Sequence, residues 1–342
     1  MLPTGSTARL MLEAKGYRVY ELPFVEISRR KADLLRYPFA LLFNGWRLAR
    51  LAWRERARII HLNDFYNLTG YVARLLCIGN LRVVTHVRFL PQSLPQSLAR
   101  IWRWLSSHLA ARTVCVSQAV GNYFDSVPNA RIIYDPLPNA ERYSIPQHAP
   151  RTDGTIELLY LSNYIQGKGQ DLALSAFEAA YAANPSLRLR FVGGDMGLEK
   201  NRKFRQQLEA AAQQAGLAAV IYFNGFATDV EAAIKAADIV LNFSESESFS
   251  LTCLDALYYG TPLIASDCGG PAELFEHGRS GLLVPNRDVA AMTKAINELA
   301  SDANLRAQFA VAGRDFVRQK FAPANTYYAL GLLYKELLAK GS

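Results

Sequence analysis

Two acidic residues eight positions apart, Glu247 and Asp255, flank Phe249, Ser250 and Leu251 in the stretch LNFSESESFSLTCLDALYYGTPLIASDCGGP, Leu241 to Pro271. Ile239 to Phe243 reads as a short strand buried on both faces. The polar break Ser244 to Ser248 can supply a helix N-cap. Leu251, Leu254, Asp255, Leu257 and Tyr258 then follow helical spacing, and Gly260 before Pro262 stops the helix. Pro262 to Ser266 is the next strand, and Gly269-Gly270-Pro271 leads into another helix. This order gathers Glu247, Phe249, Ser250 and Asp255 around a helix N-terminus at the carboxyl end of a strand. Open α/β sheets bind ligands there, and free backbone N–H groups favour a phosphate. The plainer alternative is a solvated acidic loop.

A second cluster precedes it. Glu157 to Leu161 reads as a strand followed by Ser162-Asn-Tyr-Ile-Gln-Gly-Lys-Gly-Gln. Lys168 there places a flexible ammonium beside a helix N-terminus, an arrangement suited to a diphosphate. Leu187 to Val192 with Gly193-Gly194, and Val220 to Phe223 with Gly225-Phe226, add two strands with glycine turns. Asp229 caps a helix into Ala237. The segment from Pro136 to Gly154 is a natural linker, rich in Pro and Asn.

The chain before that linker also reads as βα units. Arg9 to Lys15 is a helix, Tyr17 to Leu22 a strand, and Pro3-Thr-Gly5-Ser-Thr a loop with no strand expected before it. Loss of a first strand would leave ladders unpaired, so a start further upstream or a shortened form is expected. Arg58 to Leu62, Leu81 to Thr85, Thr113 to Ser117 and Arg131 to Tyr134 are further strands. His86 falls at the carboxyl end of the second of these, and Arg88, two residues on, could serve an anionic acceptor. A lone histidine is more often structural.

At 342 residues the chain suits two domains of ordinary size. No apolar run reaches a membrane-spanning length, and the amino-terminal MLPTGSTARL has no signal-peptide core. Cys77, Cys115, Cys253 and Cys268 form no C-x-x-C pair and read as reduced, buried residues. Residues 1–150 hold 20 Lys+Arg against 9 Asp+Glu, a net +11, while the remainder is net −3. Much of this charge lies in residues 28–58, where arginines alternate with Trp46, Leu48, Leu51 and Trp53. Such a segment suits an anionic membrane interface, or equally a helix packed on a sheet with a basic outer face.

Glu247-Ser-Phe-Ser with Asp255 and Gly260-Thr-Pro resembles the E-x7-E signature of GT-B retaining glycosyltransferases of family 4. Lys168-Gly169 resembles that family's K-G element, Val116-Ser-Gln-Ala its VS-x-A turn, and Gly281-Leu-Leu-Val its G-x-L-V strand. The resemblance implies α/β architecture: two Rossmann-like doubly wound domains facing a central cleft, with the N-terminal strand missing. The expected divisions are 1–140, a basic acceptor-binding domain; 141–154, a linker; 155–320, a nucleotide-sugar domain; and 321–342, a helix crossing back. It further implies a hexose transferred with retention from a UDP- or GDP-sugar to a glycan or lipid-linked acceptor, in cell-surface polysaccharide or lipopolysaccharide synthesis.

By the same resemblance Glu247 faces the donor sugar, His86 approaches it from the other wall, and Lys168 meets the diphosphate; these three are the candidate catalytic residues. Asp255 holds the ribose hydroxyls, and Asn163, Phe249, Ser250, Leu251 and Gly225 border the donor. Backbone amides near Ser250 and Gly269-Gly270 would stabilise the leaving phosphate. Gly5 and Arg88 lie on the acceptor side. No metal or other cofactor is expected. Three departures stand out: Asp255 where the family has Glu, Ser250 where it has Gly, and Asn163 and Ser162 where it has an arginine. They leave open a second class of function, a catalytically weak GT-B-like accessory protein that binds nucleotide or glycan. Nucleic acid is not expected as a partner. The protein is expected to be cytoplasmic, peripheral at the inner face of the membrane.

Overall fold

The computed structural model describes residues 1–23, 31–77, 81–137 and 154–339, the side chains of 31–34 excepted. The linker expected at 141–154 and residues 28–30 of the basic segment lie, Gly154 apart, outside the described residues.

The chain opens with β1 (Leu2–Pro3), α1 (Ala8–Ala14), β2 (Glu21–Leu22) and α2 (Lys31–Arg54). β3 (Ile59–Leu62), α3 (Thr69–Leu76), β4 (Arg82–Val87), α4 (Gln96–Leu109), β5 (Arg112–Cys115), α5 (Gln118–Gly121) and β6 (Ala130–Ile132) follow. β3 to β6 form a four-stranded parallel sheet in sequential order. Two expectations are corrected here. A strand does precede the Gly5 loop: Leu2 and Pro3 pair in parallel with Glu21 and Leu22, in a separate two-stranded sheet. β4 also runs through Val87, because Val87, like Val83 and Val84, is fully buried and keeps its place in the ladder with Cys115. His86 therefore lies inside the strand rather than at its end.

After the linker come β7 (Ile156–Leu161), α6 (Gln170–Ala183), β8 (Leu187–Val192), α7 (Glu199–Gln214), β9 (Ile221–Asn224) and α8 (Val230–Lys235). Next are β10 (Ile239–Asn242), α9 (Leu251–Tyr258), β11 (Leu263–Ser266) and β12 (Leu282–Val284). The chain finishes with α10 (Val289–Ser301), α11 (Ala303–Lys320) and α12 (Pro323–Ala339). The six strands are parallel in the order β12-β11-β10-β7-β8-β9. The helix expected after Gly269-Gly270 is only a 3₁₀ turn, Gly270–Glu273.

This order fixes where a ligand can sit. From β7 the chain winds outward through β8 and β9, then returns to place β10 on the other side of β7 and winds away through β11 and β12. The paired strands β7 and β10 therefore flank the switch point, whose carboxyl end is the open crevice of such a sheet.

A shared apolar core joins the two larger sheets. Val87, Val116, Val120 and Phe124 from the first half pack in one cluster with Phe249, Leu254, Val317 and Phe321 from the second. α12 returns to the first sheet, burying Leu333 and Leu337 against Val84, Val114 and Ile133. Opposite that layer, Tyr71 of α3 lies in one cluster with Leu62 and Val83, against which Leu105 and Leu109 of α4 pack, while Ala49 and Ala52 of α2 lie against Ala73.

Candidate functional site

The loops after β7 and β10 meet. Tyr160, fully buried in β7, donates its phenol proton to the Lys168 carbonyl and accepts from the Phe243 amide at 2.8 Å. One ring thus ties the lysine loop to the acidic loop. Glu245 N donates to Gly167 O at 3.0 Å as a second tie. Gly169 is held at φ 78°, and a Cβ there would lie 2.0 Å from the Phe243 carbonyl oxygen, so only glycine lets the two loops approach.

Within this frame Lys168 Nζ lies 2.7 Å from Glu247 Oε1, which also accepts from Ser244 Oγ at 2.9 Å. Both side chains are largely covered. Glu247 is fixed by its backbone as well: its amide donates to Cys268 O, and its carbonyl accepts from Gly270 N at 2.8 Å. That bond corrects one expectation, since the Gly270 amide is spent on the protein and not free for a phosphate. A Cβ on Gly270 would fall 2.3 Å from Phe249 Cα, which is why the glycine pair stands here.

The remaining donor candidates divide. Ser250 adopts φ 76° and caps α9, its Oγ accepting from Cys253 N and from Asn242 Nδ2. Leu251 begins α9 and is exposed. Leu254 N closes the first turn onto Ser250 O, so the Leu251 and Thr252 amides are the ones left without a partner among the described hydrogen bonds. Asp255 lies one turn on, largely covered, with no side-chain partner among the described contacts; burial pushes its carboxyl up to about 6. Phe249 departs from expectation. Its side chain is 3% exposed and packs on Tyr134 and Phe321, so it joins the two halves and does not line a donor surface. Asn163 supplies no charge; its Oδ1 accepts from Gly194 N at 3.0 Å, and Gly225 O accepts from Gly193 N. Asn163 and Gly225, both expected to border the donor, thus meet around Gly193-Gly194, with Phe226 exposed beside them.

On the other side, Ser248 Oγ donates to Arg88 O at 2.6 Å, setting the end of β4 against the acidic loop. The Arg88 guanidinium is paired with Asp135 at 2.5 Å and donates to Asn63 at 2.8 Å. Its charge is therefore balanced internally, at odds with service to an anionic acceptor. His86 is 5% exposed, with Nδ1 facing His61 and Nε2 buried without a partner among the described residues. Burial, followed by Arg88 and His61, holds it down at about 3, so the ring is neutral. Gly5 sits in the exposed turn after β1, at φ 77°. No described contact brings it to the Lys168–Glu247 pair.

Sequence reasoning passed over Glu273. Its carboxylate accepts from Gln118 N and Ala119 N, both at 2.8 Å, and from Tyr134 OH at 3.0 Å, latching the second half onto the first. Tyr160, His61 and Tyr334 were also passed over. They act across elements remote in sequence, and no local spacing marks them.

Two larger parallel sheets, with a cation and a carboxylate paired at a switch point that faces the other sheet, define an α/β protein of the GT-B type. The chain belongs to the family described as Glycosyl transferases group 1, whose sequence profile matches residues 142–316; the profile of Glycosyltransferase Family 4 matches residues 8–136. D-inositol 3-phosphate glycosyltransferase of Acidothermus cellulolyticus is 32% identical over 194 residues, 55% of this chain and 42% of that protein. The lipopolysaccharide core biosynthesis mannosyltransferase LpcC of Rhizobium leguminosarum bv. viciae is 33% identical over 135 residues, 40% and 38% of the two chains. The chain thus spans about two fifths of the length of these curated relatives. In fold it is similar to Anabaena Alr3699/HepE, solved in complex with UDP-glucose, with a TM-score of 0.77 at 19% identity over 96% of this chain and 89% of that one. The lipopolysaccharide outer core galactosyltransferase WaaB gives a TM-score of 0.70 at 16% identity, covering 93% and 84%.

Proposed function

We propose that the protein transfers a hexose, with retention, from a UDP- or GDP-sugar to a glycan or lipid-linked acceptor of a surface polysaccharide or lipopolysaccharide. The observation that carries this reading is the Lys168–Glu247 pair at the β7/β10 switch point. A donor diphosphate entering beside α9 would draw the ammonium away from Glu247, leaving the carboxylate to meet hydroxyls of the sugar. Asp255, unpaired and largely covered, would accept from the ribose hydroxyls. His86 would contact the sugar from the first sheet. Negative charge developing on the leaving phosphate would be met by Lys168 and the Leu251 and Thr252 amides at the start of α9. In a retaining transfer the acceptor hydroxyl attacks the same face of the sugar, and the departing phosphate takes its proton. None of these steps calls on a metal ion.

The acceptor end of the reading is an anionic membrane surface. On α2, Leu35, Phe39, Leu42, Phe43, Trp46 and Trp53 are exposed, the last at 80%. Arg47 and Arg50 lie over the Phe43 and Trp46 rings. A cavity of about 540 Å³ beside α2 is lined by Arg9, Arg47, Arg50 and Arg54 with both tryptophans, a combination suited to lipid phosphates at an interface. No helix among the described residues is long and apolar enough to cross a membrane. Asn163 favours a second reading, an accessory protein that binds nucleotide without turnover, since it leaves one phosphate cation absent.

The test is a melting-temperature panel of nucleoside diphosphates and nucleotide sugars on the wild-type protein and Lys168→Ala, with nucleotide release measured alongside. Stabilisation by UDP or GDP that Lys168→Ala abolishes, together with release from the sugar nucleotide, is the expected result. Stabilisation without release would favour the accessory reading. No stabilisation by any nucleotide would overturn both.

A further inference from the structure

The unpartnered Nε2 of His86 ends a chain of polar contacts that starts on the last helix. Tyr334 of α12 places its hydroxyl 2.5 Å from His61 Nδ1, and His61 Nε2 lies 3.3 Å from His86 Nδ1. His61 pairs with Val84 across β3 and β4, and His86 lies two residues beyond Val84. Successive strand residues alternate faces, so both rings stand on the side that α12 covers. The rings contact one another at a centroid distance of 5.3 Å, and Tyr334 meets His61 edge-on.

A neutral imidazole carries one N–H and one bare nitrogen, and the bond made by one nitrogen dictates the state of the other. Among the described residues His61 Nδ1 is the one acceptor for the Tyr334 O–H. With the phenol as donor, His61 bears its proton on Nε2 and donates it to His86 Nδ1. His86 must in turn bear its proton on Nε2, the buried atom that nothing in the described protein accepts from. The opposite order would turn the phenol proton out of the chain of contacts and leave a bare nitrogen at its end. Burial first, and Arg88 second, holds His61 down at about 4, so it stays neutral with His86 across the physiological range.

We propose that Tyr334 and His61 are positioning residues that hold His86 in its Nε2–H form, ready to donate to an oxygen of the sugar on the nucleotide. The proposal rests on the transferase reading for the identity of that oxygen, but the tautomer belongs to the empty protein. It calls for an acceptor oxygen at His86; a cation or another N–H donor would be refused. It also gives α12 a part beyond packing, because a residue near the carboxyl end sets the hydrogen-bonding state of a side chain on the first sheet.

The experiment is ¹⁵N labelling of the histidines with long-range ¹H–¹⁵N ring correlations, on wild type, Tyr334→Phe and His61→Gln, each checked for an unchanged melting temperature. His86→Gln serves to assign the signal. The expected result is the Nε2–H tautomer for His86 in wild type, and a mixture or the Nδ1–H form in Tyr334→Phe. UDP-glucose and GDP-mannose, added in turn, are then expected to shift the His86 ring proton with at least one of them. A kcat lower by about tenfold in Tyr334→Phe at nearly unchanged donor KM would accompany this, a smaller loss than deleting a donor outright. An Nδ1–H tautomer in wild type, or a His86 ring indifferent to Tyr334→Phe, overturns the proposal whatever the activity. Absence of hexose transfer with the tautomer as expected overturns the transferase reading and leaves the relay standing. Should Tyr334→Phe unfold the protein, His61→Gln carries the same comparison.

Discussion

Lys168 Nζ and Glu247 Oε1 lie 2.7 Å apart, so the two charges assigned by family resemblance to different parts of a sugar nucleotide neutralise one another in the empty protein. On the proposed reading a donor diphosphate would have to compete with a carboxylate for its cation. Glu247→Gln removes that competitor and is expected to tighten nucleoside diphosphate binding by about tenfold, worth about 1.4 kcal/mol, while lowering hexose transfer by about 100-fold or more. Calorimetric titration with UDP and GDP, beside turnover, checks both; weaker binding would mean the pair itself shapes the site.

Asp255 links the site to stability through pH. Its folded-state carboxyl is raised to about 6 from 3.8, with burial as the cause. Between those values the folded protein binds the proton more firmly than the unfolded chain. Stability from this group is therefore full below about pH 4 and is lost as pH rises through 6. Asp255→Asn is expected to raise the melting temperature of the empty protein at pH 7 to 8 and to change it little at pH 4. The same variant should weaken binding of UDP more than of its 2′-deoxy analogue. A pH-independent effect on melting would remove burial of the charge as the explanation.

Gly169 is expected to tolerate no side chain. A Cβ would press on the Phe243 carbonyl at 2.0 Å, and the left-handed backbone adds its own cost. Gly169→Ala should destabilise by about 1–3 kcal/mol and abolish the nucleotide-induced melting shift. Gly167 also has a positive φ but open space around it, so Gly167→Ala should keep the shift; equal effects at both positions would contradict the close-approach argument.

Removing the Glu273 carboxylate leaves the Gln118 and Ala119 amides and the Tyr134 hydroxyl without their shared acceptor. Glu273→Ala is expected to cost about 1–3 kcal/mol of stability, with Glu273→Gln losing less. Small-angle scattering should report a larger radius of gyration for the alanine variant as the two halves separate. An unchanged radius with full stability would show that the shared apolar core suffices.

The proposed membrane face can be tested apart from chemistry. The Trp53 side chain is 80% exposed on α2. Trp53→Ala with Arg50→Glu is expected to reduce flotation with vesicles containing anionic phosphatidylglycerol at least several-fold, without lowering the melting temperature. Equal flotation of both proteins would remove α2 as the docking face.

Much was legible in the residues because it depends on neighbours in sequence. Apolar runs of four to six, glycines before helices and the cap at Asp229 are local signals, and they placed most strands to within two residues, whereas the cap of α9 expected in Ser244 to Ser248 falls on Ser250. Lys168 and Glu247 were legible by type and spacing. The limits of β4 were not, since burial of Val87 on its sheet extends the strand past the point where local composition suggests an end. The short β1 also escaped notice, because two residues carry no periodicity and only the partner β2 makes them a strand.

What the sequence determined by itself was the alternation of strands and helices, hence the parallel sheets, and the residue types placed at strand ends. What only the tertiary structure decided was which side chains are spent on one another. Lys168 pairs with Glu247 from 79 positions away, Phe249 turns into the core between the halves, and Arg88 is balanced by Asp135. Glu273 caps a helix 154 residues earlier, and Tyr334 reaches His61 across 273. The physical reason is common to all of them. Hydrogen bonds and ion pairs act over a few ångströms of space, and distance along the chain says nothing about which groups folding brings within that range.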